Sequence, residues 1–410
     1  MNAYKHHATI FDFDGSMSRQ TLECYLSRSI TMAHLLQGNG YIDDNLRMLK
    51  HIGAKFVGRA LLHWGQESLL ATGLVKGKAI AKRIHDLDPQ IILQAGIFEI
   101  ITTEANTIPI PAWVFEAFDR EPENRCFRMA DMIYEDGRYV NHWAVGASVP
   151  DVTRLETQMW IFYLAGSYIG VGAESLHIGQ IMLMGRNDPQ LKTWWDLLNR
   201  IRRYATQQAR RHFVLFDAHV SSGVGCYGLP DDPTLAPGGY RVGDKLLLDF
   251  HALPLRIKEI SDQPFRAELA VEHLDALYGR SIGGVTPSGW ECTALPFLVE
   301  FDNWGSSGHG GESVAGKIGD IQGISDRYWI WGWDEICWFA HQTEPERNAW
   351  LWYAWQWLKE HDPSGFLEMP GMRGLADPVG DVREYYANTS SSACPLGYNQ
   401  EETIKAIWDQ

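Results

Sequence analysis

Short apolar runs alternate with longer stretches of helical periodicity along most of this chain. ATIFDFDG opens it as a strand. TLECYLSRSITMAHLL follows with Leu22, Leu26, Ile30 and Leu35 near helical spacing, and DDNLRMLKHIG predicts a short helix. A strand is expected over 55–62, a helix over 67–86 and a strand over 90–100. After a long loop over 103–150, a helix over 153–172 stops at Gly170 and Gly172. Strand 173–183, the helix LKTWWDLLNRIRRYATQQARR and strand 212–220 come next. Further strands are expected at 245–255, 267–274, 296–305 and 328–336, before the helix NAWLWYAWQWLKEHD.

Eight strands, most separated by a helix, predict an α/β protein built as one (β/α)8 TIM barrel, with a doubly wound open sheet as the alternative. Residues 1–50 are expected as a strand and helix extension packed on the barrel, and residues 51–365 as the barrel itself. Residues 366–410 read as a tail that wraps it or reaches a neighbouring subunit, so a homo-oligomer stays open. The long loop at 103–150 and the Gly-rich segments at 221–244 and 303–327 are placed to shape a site or close over it.

Composition narrows this picture. Hydrophobic residues make up 45 % and charged residues 21 % of the 410, a globular balance. A net charge of −15 argues against nucleic acid or an anionic membrane as partner. No apolar run reaches the roughly 18 residues that span a bilayer, and the polar start predicts no signal peptide. Six scattered cysteines without a CxxC pair suit a reducing, cytoplasmic setting. Trp, at 17, outnumbers both Phe and Tyr, at 16 each. Indoles fill cores, and they also stack on the C–H faces of sugars.

Polar groups gather where the predicted strands end, which in a barrel is where chemistry sits. Arg59 lies on the first strand, Gln94 and Glu99 on the second, and Glu174, His177 and Gln180 on the third. Asp217 and His219 end the fourth, and Asp249 and His251 the fifth. Glu300, Asp302 and Trp304 end the seventh, and Trp333, Asp334 and Glu335 the eighth. Trp113 belongs to the long loop. Glu300 stands out because a carboxylate in the apolar run PFLVEFDN is costly unless used or paired. Glu99, Asp217, Glu174 and Glu300 are the candidate acids for paired-carboxylate chemistry, a pair that Asp334 or Glu335 could also fill, and the remaining site residues, with these two, are expected to contact a substrate.

The segment FLVEFDNWG resembles (β/α)8-barrel glycoside hydrolases, most nearly the retaining group with catalytic glutamates on strands four and seven. That resemblance implies a carbohydrate substrate, Glu300 as nucleophile and no cofactor. It departs on the fourth strand, where Asp217-Ala218-His219 stands in place of Asn-Glu. Asp217 is then the replacement acid, or Glu99 or Glu174 serves.

Three other readings stay open. Asp217, His219, Asp249 and His251 form two Asp-x-His pairs whose members share a strand face, as a metal-dependent hydrolase would need. Ile10 to Ser16 resembles the first motif of haloacid dehalogenase-like phosphatases, with Asp12 as nucleophile and Asp14 as acid, but the later motifs of that pattern are not evident. A barrel that binds saccharide without cleaving it is the non-catalytic alternative.

Overall fold

The computed structural model describes residues 10–219, 241–254, 259–260, 263–267, 283–302, 316–317, 328–329 and 335–410. Its principal strands are β1 (Ser29–Met32), β2 (Phe56–Leu62), β3 (Ile92–Gly96), β4 (Ser175–His177) and β5 (Leu215–Asp217). β6 (His251–Pro254), β7 (Phe297–Glu300), β8 (Gly365–Leu367), β9 (Met369–Val379) and β10 (Val382–Tyr386) follow. The first five lie side by side in chain order, all parallel. β9 joins the other edge of β1 in parallel, and β10 returns antiparallel on β9, completing a seven-stranded sheet. β6, β7 and β8 make a second, three-stranded parallel sheet.

The two sheets touch at two places. Beyond β5, His219 bridges Ala252 of β6 in parallel, and the Ala252 N–H donates to Ala218 O at 3.2 Å. On the other side only Glu368 separates β8 from β9, and its N–H donates to Val299 O of β7 at 2.9 Å. The run through Glu368 therefore lies between β7 and β1.

Helices connect consecutive strands: α1 (Arg19–Leu26) precedes β1, α2 (Ile42–Ile52) follows it, and α3 (Leu70–Leu87) follows β2. α4 (Leu155–Val171) leads into β4 and α5 (Lys192–Gln208) into β5. α6 (Glu335–His341) and α7 (Glu344–His361) come between β7 and β8, and α8 (Glu401–Trp408) ends the chain. Local physics accounts for these pieces. α2 buries Leu46, Leu49 and Ile52 on one face and exposes Lys50, and it stops at Gly53, whose φ of +71° suits only glycine well. α4 is apolar nearly all round because α3 and α5 cover it from both sides. β1 to β5 are buried along their whole length, so each polar residue in them is an inward exception.

Several sequence expectations are corrected. The periodic stretch through Leu35 is not one helix: α1 ends at Leu26, and the β-branched pair Ile30-Thr31 belongs to β1. The 1–50 segment thus supplies a strand of the main sheet. Residues 10–15, expected as a strand, form a turn, an irregular pair and a bend. Of the expected eighth strand, 328–336, only the two ends are described. Tyr328–Trp329 pairs antiparallel with Gly316–Lys317, and Glu335 starts α6. The strand next to β7 comes instead from 365–367, followed directly by β9 from the segment expected as a tail. Most of the 267–274 strand and both Gly-rich segments lie largely outside the described residues. Among the described residues no helix is long and apolar enough to cross a membrane.

Candidate active site

Five C-terminal strand ends and one irregular strand bring polar side chains to a common place. The irregularity is in β2, where pairing with β3 slips between Val57 and Leu61 and Arg59 has φ +52°. A bulky residue rarely adopts that backbone, and such strain persists where the surroundings hold it. Here it turns a guanidinium inward: Arg59 Nη2 donates to Glu300 Oε1 at 2.6 Å and lies 3.1 Å from His219 Nε2. The Arg59 N–H donates to Gln94 Oε1, and Gln94 Nε2 donates to Asp217 Oδ1 at 2.8 Å. The other Asp217 oxygen meets His177 Nδ1 at 2.7 Å. His219 Nε2 meets Glu300 Oε1 at 2.7 Å, and the His177 and His219 rings touch edge to face. Arg373 of β9 donates to Asp302 Oδ1 at 3.0 Å.

All of these groups are buried, so their charges act in a low dielectric. Burial would raise the Glu300 carboxyl, but the Arg59 guanidinium and His219 hold it well below the usual carboxylate range. Burial, then the charge of Glu300, pushes Asp217 well above its ordinary value. Burial, helped by Arg59, pushes His177 well down, so its imidazole is neutral. Glu99 follows β3 and accepts from the Gln180 N–H at 2.8 Å and from Gln180 Nε2 at 3.2 Å, while burial raises its carboxyl. The loop expected over 103–150 folds back here, with Trp143 Nε1 donating to Glu99 O.

The cluster holds a residue that sequence reasoning missed. Glu368, between β8 and β9, is 2 % exposed, and burial followed by the Glu300 charge pushes its carboxyl up to about 8. Its side chain lies over Gly58: a Cβ built there would fall 1.9 Å from Glu368 Oε1. A glutamate directly after Gly365-Phe366-Leu367 was the one signal for it.

Arg59, Gln94, His177, Asp217, His219, Glu300 and Asp302 are thus brought together, with Glu99 and Gln180 as a neighbouring pair. Other expected site residues are placed elsewhere. Glu174 stands just before the first residue of β4 and is held by Arg210 and by Nε and Nη2 of Arg211. Trp113 sits on the short helix Ala112–Ala117, stacked on Tyr204 and against Phe162. His251 stacks on Phe297. Glu335 is buried at the start of α6, whose Ile336 N–H donates to Asp302 O. Trp304, Trp333 and Asp334 lie outside the described residues.

The two Asp-x-His pairs do not converge. Asp249, two residues before β6, accepts from the Phe216 N–H and from Arg202 of α5. Instead His219, Glu300 and Asp302 offer ligand atoms within 4.8 Å of one another. The Asp12-x-Asp14 motif is remote: Asp12 accepts from Gln90, and the exposed Asp14 pairs with His212.

The expected strand numbering is corrected by one: in chain order β4 ends in His177, and Asp217, expected on the fourth strand, ends the fifth. Glu300 ends the seventh.

No protein-family model matches the sequence, and no curated protein matches it. Solved structures with some likeness include trehalose-6-phosphate hydrolase of Bacillus licheniformis, with TM-score 0.32 and 10 % identity over 55 % of this chain and 49 % of that one. A β-L-arabinopyranosidase of Geobacillus stearothermophilus gives 0.31 and 11 % over 56 % and 54 %. Isomalto-dextranase of Arthrobacter globiformis gives 0.30 and 10 % over 60 % and 44 %. The aligned part spans about half the length of each of these proteins.

Proposed function

We propose that this protein is a glycoside hydrolase-like enzyme whose β1 to β8 close into a (β/α)8 barrel, with Glu300 acting on the anomeric carbon of a saccharide. The carrying observation is the buried cluster at the strand ends, where Glu300 is clamped ionised by Arg59 and His219 among carboxyls pushed towards the neutral form. Glycoside cleavage needs this division, one carboxylate and one carboxylic acid in one site. The distant likenesses among solved structures carry none of it. Ring closure is supported by the parallel contacts at His219–Ala252 and at Glu368–Val299.

The test is release of the aryl alcohol from a panel of aryl glycosides. Glu300→Gln should lower turnover on the order of 10³-fold or more while changing sugar affinity less than about tenfold. A variant as active as the parent removes Glu300 from the chemistry. A second reading, a metal-dependent hydrolase, has the His219–Glu300–Asp302 grouping in its favour. Arg59 already supplies the positive charge a cation would bring to Glu300. Unchanged turnover after chelation, in protein free of bound metal, excludes that second reading, and loss restored by a divalent ion adopts it.

A further inference from the structure

Of the partners the sequence offered for Glu300, Asp334 lies outside the described residues, Glu335 is buried at the start of α6, and Asp217, Glu99 and Glu174 are already engaged. Both Asp217 oxygens are bonded, to Gln94 and to His177. Both Glu99 oxygens accept from Gln180. Glu174 is shared between two arginines at the opposite end of its strand. A proton donor needs an oxygen that faces the substrate rather than a protein N–H.

Glu368 keeps one oxygen out of such bonds: its Oε1 is buried against Gly58 and meets no N–H among the described residues, the Thr31 hydroxyl being the side chain that hydrogen-bonds this carboxyl. The register places it beside the nucleophile candidate: Val299 pairs with Leu367, so the next position sets Glu300 opposite Glu368 on the neighbouring parallel strand. Adjacent strands lie about 4.8 Å apart. Two carboxyls so placed cannot both be charged at modest cost, so they share out one proton. Arg59 and His219 hold Glu300 as the anion, which leaves the proton on Glu368. Gly58 makes room for the group, since any side chain there would occupy the position of its carboxyl.

We propose that Glu368 is the acid/base partner of Glu300, a role that rests on the glycoside-cleaving reading above. The Glu368 O–H gives its proton to the glycosidic oxygen as the bond from the anomeric carbon breaks and its electron pair moves to that oxygen. Glu300 forms the new bond to the anomeric carbon. Water then adds there, its proton passing to the Glu368 carboxylate while the Glu300–carbon bond breaks and returns its electrons to Glu300. The strand spacing matches the roughly 5 Å carboxyl separation of retaining enzymes, so the product keeps the anomeric configuration of the substrate.

Glu368→Gln tests this through leaving groups. Hydrolysis of an alkyl glycoside, which needs protonation, should fall about 10²- to 10⁴-fold. Hydrolysis of a dinitrophenyl glycoside, whose leaving group needs none, should fall less than about tenfold in its first step, and the alkaline limb of the wild-type pH profile should disappear. A uniform loss on both substrates, or inversion seen by proton NMR, overturns the role. Infrared difference spectra of wild type against Glu368→Gln read the proton without turnover. A protonated carboxyl that titrates near about 8 supports the assignment, and one already ionised in mild acid overturns it. A wild type that cleaves no glycoside while keeping this infrared signal sinks the function proposed above, and the acid role with it, but not the location of the proton.

Discussion

At Gly58 an absent side chain decides chemistry. The carboxyl of Glu368 occupies the space where a Cβ would stand, and Gln94 Oε1 lies 3.5 Å from the same point. Gly58→Ala should therefore push the Glu368 carboxyl aside. The expected result is a loss of about 1–3 kcal/mol in stability by chemical denaturation, the usual cost of overpacking, together with a fall in turnover larger than that loss explains. Wild-type turnover in a folded Gly58→Ala protein would show that the carboxyl position does not matter. Next in sequence, Arg59 carries the opposite device. Its positive φ is unfavourable for an arginine, and the ion pair with Glu300 and the hydrogen bond to Gln94 oppose that strain.

Each strand of the central sheets has two ends with different work, and β4 shows the contrast. At its C-terminal end His177 joins the cluster, while Glu174, just before its first residue, anchors Arg210 and Arg211 under α5. Arg211 also donates to the Tyr25 hydroxyl and so ties α1 to this base. Removing a buried carboxylate leaves its arginines unpaired, so Glu174→Ala should cost on the order of 3–5 kcal/mol. Its kcat should stay within a few fold of wild type once the protein is folded. A selective fall in kcat with unchanged melting would return Glu174 to the list of acids. The same asymmetry explains why polar strand ends were legible from the sequence alone: β7 reads apolar until Glu300, and only a used or paired carboxylate is tolerated there.

Over the whole molecule, the proton on Glu368 couples folding to pH. Its ordinary value is 4.5, and in the fold it is pushed up to about 8. Between those values the unfolded chain has released the proton and the folded chain keeps it. The folded state then binds more protons, and stability declines as pH rises through this window, levelling off above about 8. Glu300 works in the other sense: its depressed folded value contributes stability above the ordinary carboxylate range, lost as pH falls through the folded value. Melting temperatures of wild type and Glu368→Gln, followed over pH, should diverge in favour of the variant up to about 8 and then run parallel. Parallel curves throughout would mean that Glu368 is ionised in the fold. The sequence by itself determined the α/β class, most of the buried strands and the place of Glu300 as a costly charge in an apolar strand, because those follow from periodicity and from the cost of one charge in an apolar run. It hid β1 inside a helical spacing and β9 inside a segment rich in Gly and Pro, where local propensity is weak and partners on both sides supply the stability. Which carboxyl shares a proton with Glu300 was decided only by tertiary structure. Strand register and the bare backbone at Gly58 set that distance, and both join residues far apart in the chain.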